Sequence, residues 1–368
     1  MKIENWKTVQ LSDICILEKG SQIDTSLLDD SKPFRYINGG IKESGYYDEY
    51  NTSGESVLIS EGGASCGYIN YVNENFWCGC HCYRLHDIKV FPKYLYHALK
   101  ANQQRIMNLR TGSAMPNIQK STIQKFELKI QDNQEIQKQI VFALDKCTTI
   151  IAKHKQMLEK YDMLIKSRFI EMFGDPVQNP MGWEIKKLSE TTEIITGNTP
   201  SRQEKNNYGN YLEWIKTDNI TSDTYITKAA EYLSEEGSKK GRIVKKNSIM
   251  MACIAGSLKS IGKVALTNRT VAFNQQINAI VPKQYNPLFL YVLLQLSKKY
   301  IENSVEMMLK GILSKGKLEN LDFITPTLTL QNDFATFVQQ IDKSKFAVQK
   351  SLEKAETLYK SLMQEYFE

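Results

Sequence analysis

The chain has 368 residues, 42% of them hydrophobic, and a formal net charge of +6. That size and apolar content support two or three domains with real cores, and no run approaches the roughly 20 uninterrupted apolar residues a membrane span needs. Met1 to Trp6 is charged without an apolar signal region and seven cysteines is an odd number, so the expectation is a cytoplasmic chain with reduced thiols, no membrane contact and no disulfide framework.

In chain order, a mixed, turn-rich body is predicted over 1–133, a long helix over 134–174, a second body over 175–328 and another long helix over 329–368. The bodies carry short β-branched and aromatic runs, Ser56 to Ser60 and Gly67 to Val72 in the first and Ser248 to Ile254 in the second, separated by Gly, Asn and Asp clusters, so strands dominate. One helix is predicted from Pro92 to Leu109 and a matching one from Pro287 to Asn303, each opened by a proline whose fixed φ suits the first helical position.

In the central segment Ile140, Leu144, Cys147, Ile151, His154, Leu158, Tyr161, Ile165, Arg168 and Met172 alternate steps of four and three. Phe334, Val338, Ile341, Lys345, Val348, Leu352, Ala355, Tyr359, Leu362 and Tyr366 do the same near the C-terminus. Such sustained heptads predict coiled-coil helices, and Phe173-Gly174-Asp175-Pro176 ends the first with a glycine and a following proline. If the second body is compact, burying both seams requires the helices to run antiparallel. Each would be a strut of up to ~60 Å at ~1.5 Å per residue. The fold class predicted is α+β, two similar domains joined by two long antiparallel coiled-coil helices in a pseudo-two-fold internal repeat.

The repeat is legible in the residues. Trp6, Leu11, Ser12 and Gly20 recur as Trp183, Leu188, Ser189 and Gly197, all 177 positions on. Pro92, Leu95 and Tyr96 match Pro287, Leu290 and Tyr291 at 195, and Phe126, Gln134, Val141, Asp145 and Lys146 match Phe323, Gln331, Val338, Asp342 and Lys343 at 197. Leu158-Glu159-Lys160, Glu171 and Phe173 match Leu352-Glu353-Lys354, Glu365 and Phe367 at 194. A period near half the length of the sequence describes two copies of one domain. The charge is not shared equally: 183–328 holds 20 basic and 14 acidic residues, whereas 1–133 holds 15 of each, which points to a polyanionic partner or a solvated lysine-rich surface on the second copy.

No catalytic constellation stands out. Asn286-Pro287-Leu288-Phe289 and Asn179-Pro180-Met181-Gly182 approach the Asn-Pro-Pro-aromatic loop with which amino-methyltransferases hold a flipped base, but both lack the second proline. Asp175, Glu184 and Lys186 could be forced into a nuclease pattern, yet they fall across a helix stop and a solvated edge strand. There is no Gly-rich turn for a nucleotide or S-adenosylmethionine. Cys78, Cys80 and Cys82, with Cys66, His81 and His86 near in sequence, could ligate zinc, but Cys-x-x-Cys spacing is absent and the matched run Phe273-Asn274-Gln275-Gln276-Ile277 has no ligand. The expectation is therefore no metal, with three thiols alternating on one face of a strand.

What remains is a polar, loop-borne inventory. The second copy offers Thr199, Ser201 and Arg202, then Lys216, Thr217, Asp218 and Asn219, then Ser257, Lys259 and Ser260, then Asn274, Gln275 and Gln276. The first offers Ser21 and Gln22, Arg35 and Asn38, Gly63 and Ser65, and Arg110, Thr111, Ser113 and Asn117 at corresponding places. Such groups read guanine and adenine edges or grip phosphates, although each alone reads as an ordinary turn.

On these residues the chain resembles the DNA specificity subunits of type I restriction-modification systems. The resemblance extends over essentially all 368 residues: Trp-x₄-Leu opens each copy, Thr-Gly-x-Thr-Pro-Ser lies at 196–201, Trp214-Ile215-Lys216 precedes Asp218, Thr-Gly-Ser lies at 111–113, and a long helix follows each body. The first copy departs at Gly20-Ser21-Gln22-Ile23 and at Tyr36-Ile37-Asn38. The resemblance implies a non-catalytic chain with two target recognition domains, each reading half of a bipartite site in double-stranded DNA, with the helices setting the gap. It further implies docking of two modification subunits that carry S-adenosylmethionine, and restriction subunits that use ATP and Mg, with no cofactor on this chain. Divergence between the bodies implies an asymmetric site. The competing readings are a stand-alone methyltransferase or nuclease with degenerate motifs, and a coiled-coil scaffold.

Overall fold

The structure, a computed structural model, describes residues 6–112, 114–307 and 311–367. The chain divides into two compact units, Met1–Gln156 with Gln349–Glu368, and Met157–Val348.

In the first unit a four-stranded antiparallel sheet has the order Ile16–Lys19, Cys82–His86, Ser56–Ser60, Ile69–Val72. Ser56–Ser60 is an interior strand and alternates between two buried faces, as the period of two requires. Val57 and Ile59 enter the core that holds Tyr94, Leu95, Ala98 and Leu99 of the Pro92–Ala101 helix, while Leu58 packs with Ile37, Val72, Phe76, Cys78 and Cys82. That second layer is a three-stranded sheet ordered Gly45–Tyr47, Phe34–Ile37, Trp77–Cys78, its last pair parallel. A ribbon of Trp6–Gln10 and Glu127–Gln131 joins the start of the body to its end.

The second unit repeats the plan. Thr192–Thr196, Ile277–Pro282, Ile249–Ala252 and Val264–Leu266 form the main sheet. Ile249 and Met251 face the helix side, and Met250 and Ala252 face the second layer. That layer again contains a parallel pair, Trp214 with Ala272 and Ile215 with Phe273. The ribbon is Ile185–Lys187 with Asp322–Ile324. A small sheet of Ile254–Ala255, Gly311–Ile312 and Glu306–Met307 is matched in the first unit by the isolated bridges of Asn117 with Gly62 and with Thr111.

The long helices span Gln134–Phe173 and Leu328–Phe367, 40 residues each. No heptad seam residue on either is exposed. Within the first unit Lys155 pairs with Glu356 at 3.1 Å, and Ile140 and Leu144 share a core with Met363 and Phe367, so these segments run antiparallel. Within the second, Asp162 meets Lys345 at 2.6 Å while Phe169 and Phe173 stack around Phe334, again antiparallel. Gly174 ends the central helix at φ +73°, its N–H returning to Ile170 O at 2.8 Å.

Three local expectations need correction. The helix predicted from Pro92 to Leu109 is two helices, Pro92–Ala101 and Gln103–Met107, broken at Asn102, whose Nδ2 donates to Ala98 O at 2.9 Å. Ser297 breaks the matching pair, Pro287–Leu296 and Lys298–Glu302. Asn102 is a short polar residue that competes for a backbone group in this way, whereas the buried Ser297 hydroxyl has no hydrogen-bond partner. The strand in Gly67 to Val72 begins only at Ile69, because Gly67 at φ +84° closes a turn through its N–H to Ser60 O. Cys78, Cys80 and Cys82 do not share a strand face: Trp77–Cys78 and Cys82–His86 belong to different sheets, and Gly79–His81 is the turn between them, closed by Cys82 N–H to Gly79 O at 3.1 Å.

The second unit carries a tightly held ion pair between the Tyr208–Ile215 strand and the bend at Asn268 and Arg269. Arg269 grips Glu213 with Nε and Nη2, and Glu213 Oε1 also accepts from Ala229 N–H at 2.9 Å. The guanidinium holds the Glu213 carboxyl below its usual range, with the Ala229 bond adding to the effect. A depressed carboxylate contributes stability that is present above its unfolded value near 4.5 and is lost as pH falls through the lower folded value. Glu213→Ala is therefore expected to cost the second unit about 2 kcal/mol at pH 7, less than a fully buried pair because Arg269 keeps part of its exposure. Urea titrations should show the gap between variant and parent closing once the pH is taken below the folded pKa of Glu213.

Candidate nucleic-acid interface

The polar loops of each unit meet at one turn. In the first unit it is Cys78–Cys82, in the second Phe273–Ile277, and the two are held by the same backbone bonds. Gly20 N–H donates to Cys82 O (3.1 Å) and Ser21 N–H to Cys78 O (2.9 Å); Gly197 N–H donates to Ile277 O (3.0 Å) and Asn198 N–H to Phe273 O (3.1 Å). From the parallel strand, Ile37 O accepts from Gly79 N–H at 2.8 Å and Ile215 O from Asn274 N–H at 3.0 Å. A third loop joins through Glu61 N–H to His81 O, and through Cys253 N–H to Gln276 O, at 2.8 Å in both units. Ile118 N–H reaches Glu61 O (2.9 Å) and Leu313 N–H reaches Cys253 O (2.8 Å), adding a fourth.

Glycine is required at the crossing. A Cβ on Gly20 would lie 2.3 Å from Cys78 O and 2.4 Å from Gly79 O, and one on Gly197 would lie 2.1 Å from Asn274 O. The Gly20/Gly197 repeat in the sequence is thus one close backbone approach made twice.

Around this frame the expected residues take different places. Ser21, Gln22, Thr199 and Gln275 are exposed at the turn, and Gln22 Oε1 meets Cys80 Sγ at 2.7 Å just as Thr199 Oγ1 meets Gln275 Oε1. Gly63 donates to Pro116 O at 2.9 Å, and Thr111 pairs with Asn117, so Ser65, Arg110, Thr111 and Asn117 sit on adjoining segments. Ser113 lies outside the described residues. Ser257 and Ser260 bond each other at 3.0 Å beside Lys259. Lys259 and Arg110 are exposed and have no carboxylate partner among the described residues.

Several of the expected residues also have partners within the protein. Asn274 is only 6% exposed and its amide closes the turn through Gln276, accepting from its N–H and donating to its Oε1, so it holds the frame. Asn219 is occupied in the same way, accepting from Lys216 N–H and donating to Thr227 Oγ1 and Lys228 O, beside Thr217 and the exposed Asp218. Asn38 Oδ1 accepts from His81 N–H at 3.1 Å. Arg35 is paired with Glu74. Arg202 and Lys216 both contact Glu231, while Ser201 O accepts from Asn207 Nδ2 at 2.9 Å.

The scan of protein families matches residues 3–160 and 180–356 to the type I restriction modification DNA specificity domain, one copy for each body. The chain belongs to this family. It is 32% identical over 169 residues to the type I restriction enzyme HindI specificity subunit of Haemophilus influenzae, a stretch spanning 45% of this protein and 33% of that subunit. The match therefore extends over about a third of that relative's length. Among solved structures, the S subunit of the M. genitalium type I system superposes with a TM-score of 0.70 at 20% identity, covering 99% of this protein and 96% of that one. A chain from a structure on complex assembly and conformational transition of the type I R-M system gives 0.56 at 14% identity, covering 100% and 98%. The first establishes the fold of an S subunit here, and the second shares it.

In this specificity-domain protein, sequence reasoning placed Lys19 and Glu61 in separate loops and missed their pairing. Glu61 is 7% exposed and accepts from Lys19 Nζ at 2.8 Å and Tyr83 Oη at 3.0 Å. Burial, with Glu61 beside it, pushes the Tyr83 hydroxyl up, keeping it a donor. The second copy fills these places with Cys253, Thr196 and Asn278, where Thr196 Oγ1 donates to Asn278 Oδ1 at 2.8 Å. One frame thus carries an ionic hub in one copy and a neutral one in the other. The residues suggested for chemistry have structural places. Asn286 caps a helix through Leu288 N–H, Asn179 brackets Trp183, and Asp175 accepts from Val177 and Gln178. No group of three or more metal-ligating side chains is gathered among the described residues. Nor is any helix among them long and apolar enough to cross a membrane.

Proposed function

We propose that this protein is the non-catalytic DNA-reading subunit of a type I restriction-modification complex, each unit recognising one half of an asymmetric bipartite site. The observation that carries this reading is the backbone frame built twice, with Gly79-Cys80-His81 at the turn in one copy and Asn274-Gln275-Gln276 in the other. A shared frame with different side chains suits one task performed on two different half-sites. Lys259 and Arg110, exposed and without a carboxylate partner among the described residues, supply phosphate contacts.

The long helices set the spacer and dock two modification subunits. Phe142, Ile150 and Leu358 in the first unit, and Met163, Leu164 and Phe346 in the second, are apolar side chains on these helices 44–63% exposed, which supports apolar contacts with another protein. S-adenosylmethionine belongs to those subunits, ATP and Mg to restriction subunits, and the complex works in the cytoplasm.

The test uses the full-length protein. It is expected to bind duplex DNA with strong salt dependence, and Lys259→Ala should flatten the slope by about one charge. With S-adenosylmethionine it should transfer no methyl group until a modification subunit is added. Methylation or cleavage by this polypeptide alone would overturn the reading in favour of an enzyme, and salt-independent or absent duplex binding would leave a scaffold.

A further inference from the structure

Two cations of the second unit's loop cluster share one acid. Glu231 Oε2 accepts from Arg202 Nη2 at 2.8 Å, and Oε1 from Lys216 Nζ. Beneath them lies an aromatic floor: the Arg202 guanidinium sits 4.9 Å from the Tyr208 ring centroid and 5.5 Å from that of Trp214, and Lys216 Nζ sits 5.1 Å from Trp214. The floor is fixed. Trp214 is 3% exposed and its Nε1 donates to Asn198 O at 3.3 Å, while Tyr208 Oη donates to Pro200 O at 2.7 Å. The acid is fixed to the same strand, because Trp214 N–H donates to Glu231 O at 3.0 Å.

We propose that Glu231 is a specificity-determining positioning residue of the second unit, holding Arg202 and Lys216 against the Trp214–Tyr208 floor so that their remaining N–H donors face a DNA half-site in one fixed direction. This rests on the DNA-reading function above and adds to it. A guanidinium has five N–H donors, so one directed at Glu231 leaves the fork free to meet an acceptor edge or a phosphate. The aromatic faces and the carboxylate restrict its swing, lowering the ordering cost of a correct contact and raising that of a wrong one. The carboxylate also lowers the local charge from two to one, which weakens sequence-independent attraction to phosphate. Tyr36 and Asn38 stand at the places of Trp214 and Lys216 in the first copy, so the device belongs to the second half-site alone.

Glu231→Gln in the full-length protein keeps the shape of the side chain and removes its charge. Binding to a mixed-sequence duplex should tighten about three- to tenfold at 0.1 M salt, with the salt slope steeper by about one. Selection from a random duplex library should return a second half-site of reduced information, the first half-site unchanged. Arg202→Lys supplies the independent measurement, keeping charge and losing the planar fork: the slope should stay as in the parent while second-half preference falls. Parent-like slope and preference in Glu231→Gln, or full preference in Arg202→Lys, would overturn the proposal while duplex binding by the parent still upheld the general function. A parent that binds no duplex would instead remove the function on which the proposal rests.

Discussion

Phe173→Ala is expected to cost the second unit about 4 kcal/mol, within the range for removing a fully buried aromatic side chain. Phe173 has no exposed surface, and its ring lies 5.0 Å from Phe169, 4.9 Å from Phe289, 5.7 Å from Phe334 and 6.2 Å from Trp183. Those rings come from both long helices, the Pro287–Leu296 helix and the segment after Gly174, so a void there has no single flexible wall to fill it. The backbone is also engaged, since Phe173 O accepts from Trp183 Nε1 at 3.0 Å. Its counterpart Phe367 offers an internal control. It lies 5.3 Å from Tyr94 and 6.5 Å from Tyr366, with Met363 where the second unit has Phe169. Phe367→Ala should cost the first unit less than Phe173→Ala costs the second. Urea titration of both variants checks the order, and equal or reversed losses would contradict it.

Gly197→Ala should disable reading by the second unit. The new methyl would lie 2.1 Å from Asn274 O and 2.6 Å from Phe273 Cδ2, and neither can retreat without breaking the bonds from Gly197 and Asn198 to that turn. Overpacking against backbone costs about 1–3 kcal/mol, or about five- to 150-fold in affinity where the strained frame is the binding surface. Gly20→Ala meets Cys78 O and Gly79 O and should act on the first unit. Each variant should lose the sequence preference of one half-site and keep that of the other; a Gly197→Ala protein that selects both halves normally would refute the assignment of the turn as the reading surface.

The periodic and repeated features were legible in the residues themselves. Alternating steps of four and three identify a helix face by geometry alone, and none of the seam positions is exposed. The 177-residue displacement that pairs Gly20 with Gly197 marked both crossings. What could not be read was pairing across a fold. Glu231 is 15 residues from Lys216 and 29 from Arg202, and only the turn back along the Tyr208–Ile215 strand joins them. Glu61 meets Lys19 through a sheet whose neighbours are out of sequence order. Asn274 looked available because its type suits base edges, yet a turn between two sheets consumes its amide. Polarity says that a residue wants a partner, and topology decides whether that partner is already in the molecule.

The bonds that tie each turn to its neighbours run from backbone N–H to backbone C=O, and only the middle position is left free by the turn itself, because a Cβ on Gly79 would lie 2.3 Å from Asn38 Oδ1 and Asn274 spends its amide on Gln276. Gly79-Cys80-His81 and Asn274-Gln275-Gln276 share no residue type, yet both are seated alike. New specificities can therefore be inherited by exchanging the residue at that middle position, Cys80 or Gln275, with the scaffold left untouched.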